Sequence, residues 1–144
     1  MSANPPTVPL GSSGLEGWTS CCDAAVTYHD ATLCCKGCWR EVWPVSIDPE
    51  RAESLDRIIR DVLEDRITAG EGVARQRLLL APRVVAVCDG PVDAEWNPDA
   101  PEPAFRKGDA FPVASMSEHG GVLYLALRDG AAILTAQASA FQVP

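Results

Sequence analysis

Five of the six cysteines in this 144-residue chain fall within SCCDAAVTYHDATLCCKGCWREV, residues 20–42. So many thiols in so short a stretch restrict the fold more than any other feature. They can form a metal site, a redox site or a disulfide staple, and each choice ties the same segment together. The first residues, MSANPPTVPLGSSGLEG, carry neither the basic nor the apolar region of a secretory signal. No run approaches the ~18 consecutive apolar residues of a membrane span. A cytoplasmic, reducing setting is therefore expected, where clustered cysteines read as metal or redox groups before disulfides.

Zinc takes about four thiolate or imidazole ligands, converging tetrahedrally at about 2.0–2.3 Å. Cys35-Lys36-Gly37-Cys38 is a C-x2-C with glycine inside, where the backbone must turn sharply beneath a metal. Its partner is the adjacent pair Cys21-Cys22, because Thr19 stands where a second C-x2-C would begin. If Asp30-Ala31 is a two-residue hairpin turn, His29 pairs with Thr32, Tyr28 with Leu33, Thr27 with Cys34, and Val26 with Cys35. Cys21 and Cys22 then pass the open end of the hairpin, beside Cys35 and Cys38. At about 3.3 Å per residue, His29 lies roughly 20 Å away at the tip. Cys34 points to the face opposite Cys35. The expected ligands are Cys21, Cys22, Cys35 and Cys38, with Cys34 the first substitute and His29 the second.

A Cys-x-x-Cys redox site normally opens a helix in a βαβ setting, which this pattern lacks. On Cys35, Gly37, Cys38 and the upstream pair, residues 18–45 resemble a zinc ribbon or rubredoxin-like knuckle. That resemblance implies a structural Zn. Four thiolates leave no open coordination position, so the metal is expected to order the segment and not to catalyse.

Residues 1–17, rich in Pro, Ser and Gly, read as a flexible leader. A helical linker is expected over 46–81. Asp48 is its N-cap and Pro49 its first residue, and Ala52, Leu55, Ile59 and Val62 recur at 3- and 4-residue steps. This predicts one long amphipathic helix over 48–69, stopped by Gly70 and open to pairing with a second copy of the chain. Residues 71–80 read as either a second short helix or the lead into a strand.

From residue 82 short apolar runs alternate with turn residues. The runs are RVVAVCDG, AFPVASMSE, VLYLALRDG and AAILTAQ, followed by a tight turn at ASAF. Leu123, Leu125 and Leu127 should share one face, and Cys88 should be a buried small hydrophobe. On Lys107-Gly108-Asp109, the turns at Gly120-Gly121 and Asp129-Gly130, and ASAF, residues 82–144 resemble a Src-homology-3-like barrel. The resemblance implies a small antiparallel β-barrel with a long loop after its first strand. The predicted class is α+β: a zinc-ribbon hairpin, one long helix, then the barrel.

A net charge of -8 argues against broad phosphate-backbone binding. No phosphate loop, dinucleotide fingerprint or catalytic triad can be assembled, so an enzyme is not expected. Only two lysines, Lys36 and Lys107, among frequent Ala, Gly, Pro, Asp and Val fit a GC-rich bacterial or phage genome. Trp18, Trp39 and Trp43 bracket the cysteines and are expected to cover the sulfurs. Trp43, if exposed, and Trp96, in a polar Pro-rich loop, are the candidate protein-partner contacts. The expectation is a non-enzymatic interaction protein or adaptor. The alternative is a transcription- or nucleic-acid-associated factor using Arg40, Arg75, Arg77, Arg83 and Arg106. A thiol redox or metal-handling protein is a third.

Overall fold

The computed structural model describes residues 6–11, 14–15, 17–90 and 103–144. The fold is mixed α+β, and the chain divides into two compact units, residues 1–76 and 77–144.

The first unit contains β1 (Thr7–Gly11), β2 (Gly14–Leu15), β3 (Val26–His29), β4 (Thr32–Cys35), β5 (Trp43–Ser46) and α1 (Pro49–Leu63). Helix α2 (Ala69–Leu80) begins in it. The β3–β4 hairpin has the register set by the Asp30-Ala31 turn: His29 opposite Thr32, and Val26 opposite Cys35. Both turn residues are left-handed, with φ of 49° and 64°. Such a turn suits the right-handed twist of the strands and normally carries Gly at its second position.

The flexible leader expected over 1–17 is corrected at its centre. Residues Thr7–Gly11 form β1, which pairs in parallel with β5 and antiparallel with β2. Val8 is completely buried and packs with Cys35 and Val42, among Ala24, Val26 and Leu33. Two aliphatic side chains in a Pro-rich segment were too few to signal a strand, yet one of them, Val8, supplies a third of that buried cluster.

The single long helix is also corrected. Asp48 caps α1 as expected, accepting from the Arg51 N–H at 3.4 Å. The helix then stops at Leu63, with Asp65 left-handed at φ 57°. Thr68 starts α2 by accepting the Glu71 N–H on Oγ1 at 3.1 Å. This is the side-chain cap that a new helix N-terminus needs. Gly70 lies inside the first turn of α2 and stops nothing. The buried face of α1 runs through Ala52, Leu55 and Ile58 and packs on β1, while Leu63 is exposed.

Trp18 docks on the start of α2. A Cβ at Gly72 would lie 2.7 Å from Trp18 Cη2 and 2.6 Å from Val62 Cγ2, so only glycine admits the indole. The Trp18 N–H donates to Gln76 Oε1 at 2.9 Å, and Gln76 Nε2 donates to the Trp18 carbonyl at 2.8 Å. The side-chain amide serves the backbone of residue 18 as a neighbouring strand would.

The second unit contains β6 (Val84–Ala86), β7 (Ala110–Phe111), β8 (Val113–His119), β9 (Val122–Asp129), β10 (Ala132–Gln137), a 3-10 turn (Ala138–Ala140) and β11 (Phe141–Gln142). The elements fall close to the predicted runs, but the expected closed barrel is not formed among the described residues. Two three-stranded antiparallel sheets stand in its place, ordered β10-β9-β8 and β11-β6-β7. Pro112, which has no N–H for a ladder, separates β7 from β8, and a register shift follows at Val113/Ser115. A single predicted strand is thereby divided between two sheets. Leu125, Leu127, Val84 and Val113 are fully buried. Phe141 packs between Phe105 and Phe111, with ring centroids 4.8 and 6.3 Å away. Cys88 is exposed and not buried, because β6 ends two residues earlier.

No helix among the described residues is long and apolar enough to cross a membrane.

Candidate metal centre

The structure brings Cys21, Cys22, Cys35 and Cys38 together, with their sulfurs all within 4.8 Å of one another. The Cys21 and Cys38 sulfurs are 3.6 Å apart. Four sulfurs at about 2.3 Å from a tetrahedral ion are separated by about 3.8 Å, so this group needs little adjustment to hold one.

Each ligand is positioned by local structure. Cys35 ends β4 and is fully buried. Its sulfur accepts the Gly37 N–H at 3.2 Å, the bond expected where a knuckle turns beneath a metal. The Trp39 N–H returns to the Cys35 carbonyl at 2.8 Å and closes that turn. Gly37 is required by crowding. An added Cβ would come 2.7 Å from Cys22 Cβ and 3.1 Å from its sulfur.

The other half is built on Thr19. Its backbone N–H donates to the Ala24 carbonyl at 2.8 Å, and its carbonyl accepts the Asp23 N–H at 3.0 Å. These bonds, with Asp23 left-handed at φ 51°, fold Cys21 and Cys22 back toward the hairpin. The Thr19 hydroxyl lies 3.3 Å from the Cys35 sulfur and also accepts the Ala24 N–H at 3.2 Å. Thr19 thus occupies the place of a missing ligand and supports a sulfur. The sequence showed the departure at position 19 but not this use of it.

The electrostatics separate Cys21, Cys22 and Cys35. Burial opposes ionisation of Cys35, but hydrogen bonds from Thr19, the Cys38 and Gly37 backbone and Cys21 outweigh it and bring the thiol down to about 6. Cys22 is pushed up to about 12 by its hydrogen bonds with Cys38 and Cys21. Burial, chiefly, raises Cys21. One thiolate is prepared in advance, and at least two protons must leave when a cation arrives.

The substitutes stay apart from this group. Cys34 is buried, its thiol directed at the Thr32 carbonyl at 3.5 Å, and it bridges to Glu41 on a neighbouring segment. His29 sits at the hairpin turn, 3.4 Å from Asp30 and with its ring edge toward Trp39 at 6.4 Å. The tryptophans do not cover the sulfurs as expected. Trp18 is docked on α2, Trp39 is 61% exposed and Trp43 is 52% exposed. Cys21, Cys22 and Cys38 are themselves exposed. Trp96 lies outside the described residues.

Trp39 was missed as a special position. It follows the second knuckle cysteine with φ 61°, a conformation that suits glycine and is rare for a bulky side chain. Comparison with family models, curated proteins and solved structures found no match for this chain.

Proposed function

We propose that this is a non-enzymatic, zinc-containing interaction protein of bacterial or phage origin. It works in the reducing cytoplasm and presents its ribbon to another protein. One observation carries the reading: a four-cysteine cluster with no fifth donor among the described residues, whose knuckle displays exposed aromatic side chains beside it. Soft thiolates in a tetrahedral set select zinc among the common divalent ions. Four of them leave no position for water, so the ion orders the hairpin and does no chemistry. Trp43, on an exposed strand, and Trp39 supply the large amphipathic contacts typical of interface anchors.

A nucleic-acid role has less support. The five candidate arginines divide between units, Arg40 and Arg75 in the first and Arg77, Arg83 and Arg106 in the second. The net charge is also -8.

Native mass spectrometry with elemental analysis tests the metal. One zinc per chain is expected, lost together with the ribbon's structure on chelation. A metal-free mass with a folded ribbon would overturn the reading. Affinity capture with Trp43→Ala then tests the partner surface: captured protein should fall while zinc content holds.

A further inference from the structure

We propose that Cys21 and Cys38 form an oxidation site, closing to a disulfide that displaces the metal and replaces it as the staple of the hairpin. This rests on the metal reading above and adds a second chemistry to the same sulfurs.

Three features select this pair. Thiol oxidation follows exposure, and Cys21 and Cys38 both face solvent. Their sulfurs stand 3.6 Å apart, so two exposed side chains need only small rotations to reach a bond of about 2.05 Å. The remaining combinations are worse placed. Cys35 is fully buried and its sulfur is held by Thr19 Oγ1 at 3.3 Å and the Gly37 N–H at 3.2 Å. A Cys35–Cys38 bond would have to break both contacts. Cys22 is exposed as well and hydrogen-bonds to Cys38, but its side chain is wedged against Gly37, and joining it to adjacent Cys21 would strain the intervening peptide.

The step balances with a peroxide as the oxidant. One sulfur of the pair attacks the peroxide oxygen, breaking the O–O bond and becoming a sulfenic acid as the first water leaves. The other sulfur displaces the sulfenic oxygen as a second water and forms the S–S bond. Two thiolates lose two electrons, and peroxide takes up two electrons and two protons. Cys22 and Cys35 alone then offer two sulfurs, half a tetrahedral set, so the cation leaves. The new bond joins the same two arms of the chain, residues 21 and 38, that the metal had joined. The oxidised hairpin therefore stays closed.

The test treats the full-length, zinc-loaded, reduced chain with hydrogen peroxide. Native mass spectrometry, disulfide mapping and hydrogen exchange of residues 20–42 follow the reaction. The expected product has lost its zinc, is two hydrogens lighter than the reduced metal-free chain and carries a Cys21–Cys38 bond. It keeps amide protection in β3 and β4, and dithiothreitol with zinc restores the starting mass. Cys34→Ser and Cys88→Ser should respond as the parent does. Zinc retained under peroxide, a bond at another cysteine pair, or an unprotected hairpin after oxidation would each overturn the proposal. A chain that never holds zinc, even after reduction and zinc addition, fails at the metal reading instead. Its peroxide product still reports whether Cys21 and Cys38 pair.

Discussion

In residues 77–144 the side chains of Val84, Val113, Met116, Leu125, Leu127 and Phe141 leave water through strand pairing and packing. In residues 1–76 the cysteine hairpin buries Val8, Cys35 and Val42 as its cluster, and its open end is closed by four sulfurs. On the metal reading proposed above, one region draws its order from apolar area and the hairpin of the other from a ligand set. Apolar burial contributes about 25 cal/mol per Å², so the second unit is stable in proportion to its core. The hairpin cluster holds only three buried side chains, so on the same reading its stability depends on what occupies the sulfurs.

Metal removal should separate the two most sharply. Structural zinc in small metal-dependent domains supplies about 10–16 kcal/mol at neutral pH. Excess chelator, or Cys35→Ser, should therefore abolish amide protection in β3 and β4 while leaving β8 and β9 protected. Hydrogen exchange read by segment checks this. Equal loss in both units would show that the contrast is wrong.

Leu125→Ala provides the opposite break. The side chain is fully buried, and truncation of such a leucine costs about 2–5 kcal/mol. Thermal unfolding of the second unit should move down by a corresponding amount, with zinc stoichiometry unchanged. If zinc content falls too, the hairpin depends on the second unit's core.

The pH dependence sharpens the account of the sulfurs. Near neutrality Cys35, at about 6, has lost its proton, whereas Cys22, at about 12, and the raised Cys21 retain theirs. Binding must expel at least those two protons, so affinity rises with pH. The slope should be at least about 100-fold per pH unit between pH 7 and 8. Below about 6, Cys35 also takes up a proton and the loss steepens. Competition with a chromophoric chelator across this range measures the slope, and a flat profile would mean that the thiols are not the ligands.

The legible parts of the molecule were those encoded in local pattern. Cysteine spacing and the Asp30-Ala31 turn gave the hairpin register. Alternation in VLYLALRD gave a strand with Leu125 and Leu127 inward, and Asp48-Pro49 gave the start of α1. What escaped depended on tertiary context. β1 exists because Val8 finds Cys35 and Val42, and nothing within PPTVPLG announces that cluster. The division at Pro112 depends on which neighbours β7 and β8 find, and the helix break depends on Thr68 and Asp65 together. At the site, the four sulfurs could be chosen by geometry, but the exposure of Trp39 and Trp43 could not.

Trp39 gives the smallest effect and the finest test. Its left-handed backbone is expected to cost about 1–3 kcal/mol for a non-glycine residue, and its visible return is an edge contact with exposed His29. Glycine removes that cost but adds about 0.5–1 kcal/mol of freedom to the unfolded chain. Trp39→Gly should therefore raise ribbon stability by about 1 kcal/mol. The midpoint of chelator-induced unfolding would move to higher chelator. Meanwhile, capture of a protein partner should weaken, since the displayed indole is gone. A stabilised ribbon that binds less would mean that the indole is kept for contact at the expense of the fold. A destabilised ribbon would mean that the His29–Trp39 contact outweighs the backbone strain, and that Trp39 belongs to the hairpin's own packing.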